Sequence, residues 1–146
     1  MNSANEMEVE FDSAAKNEGF ARVVVAAFIT STNPTLEEVA DIKTAVSEAV
    51  TNAIIHGYEN GPGKIKIRAT VKERAIYIEI SDRGVGIPDV KQAMEPLFTT
   101  KPDEERSGMG FSFMEAFMDR LEVISSPGIG TSVKMWKEIG AAAPRF

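Results

Sequence analysis

Glu48 and Asn52 stand four residues apart in Ser47-Glu48-Ala49-Val50-Thr51-Asn52-Ala53. On a helix that spacing stacks the two side chains on one side. Val46, Ala49, Val50 and Ala53 flank them on what reads as an apolar stripe. Burying a carboxylate and an amide there without partners costs about 1–3 kcal/mol each, so chemistry is one reason to keep them. A carboxylate can take the proton of an attacking hydroxyl. The amide oxygen of an asparagine is a hard, neutral ligand suited to a Mg²⁺ that already carries triphosphate oxygens. The alternative is a polar pair at the helix boundary facing water.

Two further stretches invite the same question. Ser81-Asp82-Arg83-Gly84-Val85-Gly86 follows a predicted buried strand. An aspartate at a strand end accepts a hydrogen bond from the exocyclic amino group of adenine, whereas guanine presents a carbonyl there and pairs acceptor with acceptor. Gly84 and Gly86 would let the backbone pass close to a base and sugar; an ordinary capped turn is the alternative. Arg106-Ser107-Gly108-Met109-Gly110-Phe111 opens a predicted helix, whose N-terminal amides favour phosphate, with Arg106 adding a charge-assisted contact. Upstream, Pro96-Leu97-Phe98-Thr99-Thr100-Lys101 offers two hydroxyls and an ammonium group. The intervening charged run reads either as a solvated loop or as a lid between glycine hinges.

The elements that must position these groups are legible from periodicity. Met7 to Phe11 alternates as a strand. Asp12 or Ser13 is expected to cap a helix carrying Phe20, Val23, Val24, Ala27 and Phe28 on one face and ending near Ser31. After Asn33-Pro34, Thr35 and Glu38 have capping-box spacing. Leu36, Val39, Ile42, Val46, Ala49, Val50, Ala53 and Ile54 then mark a long amphipathic helix, closed by Gly57 as its C′ residue. Ile65, Ile67, Ala69 and Val71 alternate, as do Ile76, Ile78 and Ile80, which predicts an antiparallel hairpin turning at 72–74. A largely loop-like stretch over 87–107, with at most a short helix after Pro88, a helix from about Gly110 to Arg120, and a final hairpin over 121–126 and 131–137 complete the chain. The expected architecture is α+β, a two-layer α/β sandwich with helices on one face of a mixed or antiparallel sheet. One domain is expected over residues 1–140, with 141–146 as a flexible tail.

Composition narrows the function classes. The 146 residues are 43% apolar and 26% charged, the balance of a folded domain. The longest apolar run, residues 23–29, is far short of the ~20 residues needed to cross a bilayer. The polar, acidic N-terminus has no export-signal pattern, and a cytoplasmic location is expected. With no cysteine, disulfides and thiol catalysis are excluded. A net charge of −6 disfavours direct contact with a nucleic-acid backbone. Eight of the eleven glycines form Gly-x-Gly pairs. None extends to a Rossmann fingerprint, and no Walker motif occurs.

Taken together, Glu-x-x-x-Asn on a helix, Asp-x-Gly-x-Gly after a strand, Leu-Phe-Thr-Thr-Lys in a loop and Gly-x-Gly opening a helix resemble the ATP site of the gyrase, heat-shock chaperone, histidine kinase and mismatch-repair superfamily. Thr131 matches a further position. His56, the sole histidine, lies in the ATP-site helix rather than on a dimerisation helix, which argues against a sensor histidine kinase. The stretches 17–23, 46–58 and 96–101 resemble the stand-alone branch of small serine kinases that act as anti-sigma factors, and within it the sporulation anti-sigma F family.

That resemblance implies a Bergerat-type fold and a homodimer that binds the sporulation sigma factor F. It also implies phosphorylation of a serine on an anti-sigma factor antagonist, using ATP and Mg²⁺, with no direct nucleic-acid or membrane partner. It implies Glu48 as the catalytic base, Asn52 as the Mg²⁺ ligand and Asp82 as the adenine reader. Gly84, Gly86, Thr99, Thr100, Lys101, Arg106, Ser107, Gly108, Met109, Gly110, Phe111 and Thr131 would complete the nucleotide site. Arg22 would contact both protein partners; by its own setting it reads only as a polar residue on the outer face of a helix. A general-stress anti-sigma kinase with another sigma target, and a binding module that is ordered by nucleotide without turnover, remain open as alternatives.

Overall fold

A computed structural model describes residues 3–94 and 110–140. The strands are β1 (Asn5–Asp12), β2 (Lys64–Lys72), β3 (Ala75–Asp82), β4 (Arg120–Ser126) and β5 (Gly130–Glu138). The helices are α1 (Lys16–Phe28), α2 (Leu36–Asn52), α3 (Val90–Ala93) and α4 (Gly110–Phe117). Among the described residues the five strands form one sheet in the order β1-β2-β3-β5-β4, and every pairing is antiparallel. The expected two-layer α+β sandwich is thus present, with an antiparallel rather than a mixed sheet.

Alternation sorts the two sheet faces. Ile65, Ile67, Ala69 and Val71 of β2 and Ile76, Ile78 and Ile80 of β3 all point into the core. The register sets Ile67 opposite Ile80 and Ala69 opposite Ile78. Helix α2 packs between α1 and α4 and buries Ile42, Ala45, Val46, Ala49 and Val50. Each large aliphatic side chain so buried stabilises the fold by roughly 1.5–3 kcal/mol. The opposite sheet face is polar. On it Arg68 bridges Glu8 and Glu79 at 3.7 Å each, and Arg120 lies 4.5 Å from the Trp136 ring centroid. No helix among the described residues is long and apolar enough to cross a membrane.

The start of α2 follows its sequence signal. Thr35 Oγ1 accepts from the Glu38 N–H at 3.0 Å, and Glu38 Oε1 accepts from the Thr35 N–H at 2.9 Å. Leu36, the first residue of the predicted stripe, is nevertheless 90% exposed. It sits in the first turn, ahead of the core contacts.

Four other expectations are corrected. Neither Asp12 nor Ser13 caps α1 with its side chain: the N-cap is Ala15, without a side-chain hydrogen bond, and Asn17 Nδ2 donates instead to the Asp12 carbonyl at 2.9 Å. The buried stripe of α1 runs through Ala21 and Val25 and on to Ile29, while Phe20 and Val23 are 46% and 65% exposed. The cause is a helix whose apolar residues occupy more than one face, so small Ala21 goes inward and Phe20 packs edge-on against Phe11 of β1. Gly57 is not a left-handed C′ residue. Helix α2 passes into a π-helical turn, Ala53–Gly57, and the chain reverses at Glu59 and Asn60, with φ of 53° and 63°. Helix α4 also ends earlier than expected, at Phe117, because Arg120 already opens β4.

Candidate functional site

The C-terminal end of α2 and the last residues of β3 meet where three backbone segments interlock. The π-helical turn after Asn52 is closed by the Tyr58 N–H, which donates to the Ala53 carbonyl at 2.9 Å. Turns of this kind are frequent at functional sites. Its last carbonyl, Gly57 O, accepts from the Val85 N–H at 2.8 Å, and Val85 O accepts from the Gly128 N–H at 2.7 Å. The helix end, the β3 exit loop and the β4–β5 turn are therefore tied in series.

Glycines make that approach possible. A Cβ on Gly84 would lie 2.0 Å from Gly57 O, and one on Gly86 would lie 2.2 Å from Ser126 O. A Cβ on Gly130 would likewise lie 2.1 Å from the Asp82 carbonyl oxygen. Gly84 and Gly86 were anticipated for closeness to a ligand; the structure shows that they are required by closeness to the backbone. Tyr58 braces the same corner. Its hydroxyl accepts from the Arg83 N–H at 2.7 Å and donates to the Lys64 carbonyl at 2.5 Å.

Asp82 is the half-buried carboxylate at the centre of this corner. Its Oδ1 accepts from the Gly84 N–H at 2.8 Å, which fixes its orientation. Burial raises its pKa above the usual carboxylate value, against the pull of the Gly84 and Thr131 backbone N–H groups. Thr131 stands opposite Asp82 in the β3–β5 register and is only 8% exposed. Its hydroxyl lies 2.7 Å from Ser125 Oγ.

Glu48 and Asn52 converge on the start of α4. A Cβ at Gly110 would lie 3.0 Å from Asn52 Nδ2, 3.3 Å from Asn52 Oδ1 and 3.4 Å from Glu48 Oε2. Both side chains are half-buried, so the stacking expected from their spacing is present and their heads reach one point. Phe111, the next residue of α4, packs against the core. Thr99, Thr100, Lys101, Arg106, Ser107, Gly108 and Met109, with the tail 141–146, lie outside the described residues.

Arg22 is on the outer side of α1, in ion contact with Glu18 at 2.7 Å. The same Glu18 oxygen accepts from Ser47 Oγ at 2.8 Å, so Arg22 is joined to the residue preceding Glu48. Arg22 also lines an open cleft of about 270 Å³ with Ala40, Lys43, Thr44 and Ser47. Spacing did not reveal this link, because it crosses from one helix to another.

Sequence reasoning missed Gly57, Tyr58, Ser125 and Gly130. Gly57 gave the signal of an ordinary helix stop. Ser125 and Gly130 owe their positions to strand register, which the sequence of one strand does not specify, and Tyr58 owes its position to long-range contacts with Lys64 and Arg83.

Comparison with known proteins bears on the family and the fold. The family model for the histidine kinase-like ATPase domain matches residues 11–137. The anti-sigma F factor of Thermoanaerobacter sp. (strain X514) is 59% identical over 141 residues, covering 97% of this chain and 99% of the relative. That of Caldanaerobacter subterraneus subsp. tengcongensis is 61% identical, covering 93% and 95%. The Bacillus subtilis (strain 168) protein of the same name is 54% identical, covering 92% and 93%. The crystal structure of the RsbU and RsbW domains of Rv1364c from Mycobacterium tuberculosis superposes with a TM-score of 0.66 at 18% identity. That match covers 92% of this chain and about a third (32%) of the longer one, and it supports the fold alone. An ATP-binding domain of the kinase-like type and near-full-length identity to one group of relatives lead to one assignment: the chain belongs to the anti-sigma F factor family, within the histidine kinase-like ATPase domain fold.

Proposed function

We propose that this chain is a serine-protein kinase that also sequesters a sigma factor. In this reading it binds the sporulation sigma factor F, and it transfers the terminal phosphoryl group of ATP to a serine of an anti-sigma factor antagonist. The observation that carries the reading is the convergence of Glu48 and Asn52 on Gly110, one π-helical turn away from the half-buried Asp82.

The roles follow from chemistry. Asp82 accepts from the adenine amino group, with Gly84, Gly86 and Thr131 shaping the surrounding backbone. Asn52 is the metal ligand. Among the described residues no cluster of three or more His, Cys, Asp or Glu could hold a metal alone. A single amide oxygen that leaves the remaining ligands to phosphate and water fits Mg²⁺. When bound, Mg²⁺ neutralises phosphate charge during transfer, the main requirement of phosphoryl chemistry. Glu48 takes the proton of the attacking serine hydroxyl at a carboxylate oxygen. Thr99, Thr100, Lys101, Arg106, residues 107–110 and Phe111 supply the phosphate side of the site. Arg22 is the contact shared by the two protein partners, and the working unit is a homodimer.

Mass spectrometry of the antagonist after incubation with this protein and Mg·ATP tests the reading. A single phosphoserine is expected, and Glu48→Gln is expected to abolish it while retaining nucleotide binding. An unmodified antagonist with the unaltered protein would leave a binding module in place of an enzyme. Recovery of a different sigma factor on copurification would replace sigma F as the target.

A further inference from the structure

Asp82 of β3, Thr131 of β5 and Ser125 of β4 stand opposite one another across three adjacent strands. They form a polar row two register positions beyond Ile80, Val133 and Val123, on the same face of the sheet. Within the row, Ser125 Oγ has three neighbours. The Ile87 N–H donates to it at 2.7 Å, the Gly130 carbonyl oxygen lies 3.1 Å away, and Thr131 Oγ1 lies 2.7 Å away.

A hydroxyl has one proton and two lone pairs. An N–H only donates and a carbonyl only accepts, so two of the three contacts fix their own direction. Ser125 accepts from Ile87 and gives its proton to Gly130. Its remaining lone pair must then take the proton of Thr131. The reverse order would set the Ser125 oxygen 3.1 Å from a carbonyl with no proton between them. One arrangement satisfies every contact, and in it the Thr131 proton is already committed.

We propose that Ser125 is a specificity-determining positioning residue: by holding the Thr131 proton, it leaves Thr131 and Asp82 as a row of acceptors that admits a purine with an amino group at C6 and rejects one with a carbonyl there. The proposal rests on the reading that the base of ATP lies at Asp82. Ser125 touches no base itself and acts through Thr131. It also holds the Ile87 N–H, which ties the loop leaving β3 to the same row.

The test compares ATP and GTP, each as its magnesium complex, in calorimetric titrations of the full chain. The unaltered protein is expected to prefer ATP. Ser125→Ala frees the Thr131 proton to donate to the guanine carbonyl. The ATP-over-GTP ratio should then fall about tenfold, the worth of one neutral hydrogen bond. Ser125→Thr keeps the hydroxyl and should restore the ratio. In the double variant Ser125→Ala/Thr131→Val the gain toward GTP should vanish, because no proton remains to donate.

If Ser125→Ala weakens both nucleotides equally and leaves the ratio unchanged, Ser125 is structural only and the proposal fails while the adenine reading stands. If the unaltered protein does not prefer ATP, the adenine reading fails and takes the proposal with it. Should Ser125→Ala not fold, NMR of the unaltered protein decides. A protected Thr131 hydroxyl proton directed at Ser125 supports the proton order, and a Ser125 proton directed at Thr131 overturns it.

Discussion

Gly57 and Asp82 approach one another as closely as a missing side chain allows: a Cβ at position 57 would lie 2.9 Å from both Cγ and Oδ2 of Asp82. The carboxylate at the end of β3 is thus walled in by the turn that ends α2. Gly57→Ala presses on a side chain that can rotate away. It is expected to leave the protein folded and to reduce ATP affinity at least tenfold. Gly84→Ala differs, because its Cβ would meet the Gly57 carbonyl at 2.0 Å and neither backbone can yield cheaply. That variant is expected to lose stability by about 1–3 kcal/mol or more. Urea denaturation paired with nucleotide titration separates the two outcomes; equal loss of stability in both would contradict the distinction.

Asp82→Asn should uncouple function from stability. Burial raises the folded-state pKa of Asp82 above its ordinary 3.8. As pH rises from 3.8 through the raised value, the unfolded chain releases this proton before the folded one does. The contribution of Asp82 to stability therefore falls across that window and remains unfavourable above it. Asparagine carries no charge, and its Oδ1 keeps the acceptor for the Gly84 N–H. At pH 7 the variant is expected to melt at or above the temperature of the unaltered protein, and to lose that advantage below about pH 4. A lower melting temperature at pH 7 would mean that the ionised carboxylate stabilises the fold.

Thr35→Ala probes the opposite end of α2. It removes the acceptor for the Glu38 N–H and should cost about 1 kcal/mol, or a few degrees in Tm. Helix α2 has 17 residues, so the cap lies roughly 25 Å from Asn52. Nucleotide affinity is expected to be unchanged, measured on the folded protein at 25 °C. A parallel loss of affinity would show that fraying of α2 propagates to the site.

Glu18→Gln weakens the ion contact to Arg22 while keeping an acceptor for Ser47. Binding of the protein partners is expected to change, whereas affinity for ATP should not, as read by titration of each ligand separately. Loss of ATP affinity would place Glu18 in the nucleotide site instead.

Alternation and capping chemistry made much of this molecule legible. The isoleucines of β2 and β3 and the Thr35–Glu38 box each depend on residues a few positions apart, and local spacing defines them. Glu48 and Asn52 were legible for the same reason. Helix α1 was not, because Phe20, Val23, Val24, Val25 and Phe28 offer two overlapping apolar stripes, and the sheet selects the one led by small Ala21. Gly57 illustrates a second limit. A glycine after a helix signals a stop, while its actual role depends on Asp82, 25 positions later and brought near by the fold. The Asp82–Thr131–Ser125 row is a third case, since it exists only through strand register.

The most direct test of the central claim is calorimetric titration of Mg·ATP into the unaltered protein and into Asn52→Ala and Asp82→Asn. Saturable binding by the unaltered protein, weakened at least tenfold in each variant with folding intact, is the predicted result. No heat with the unaltered protein, or undiminished affinity in both variants, would contradict it.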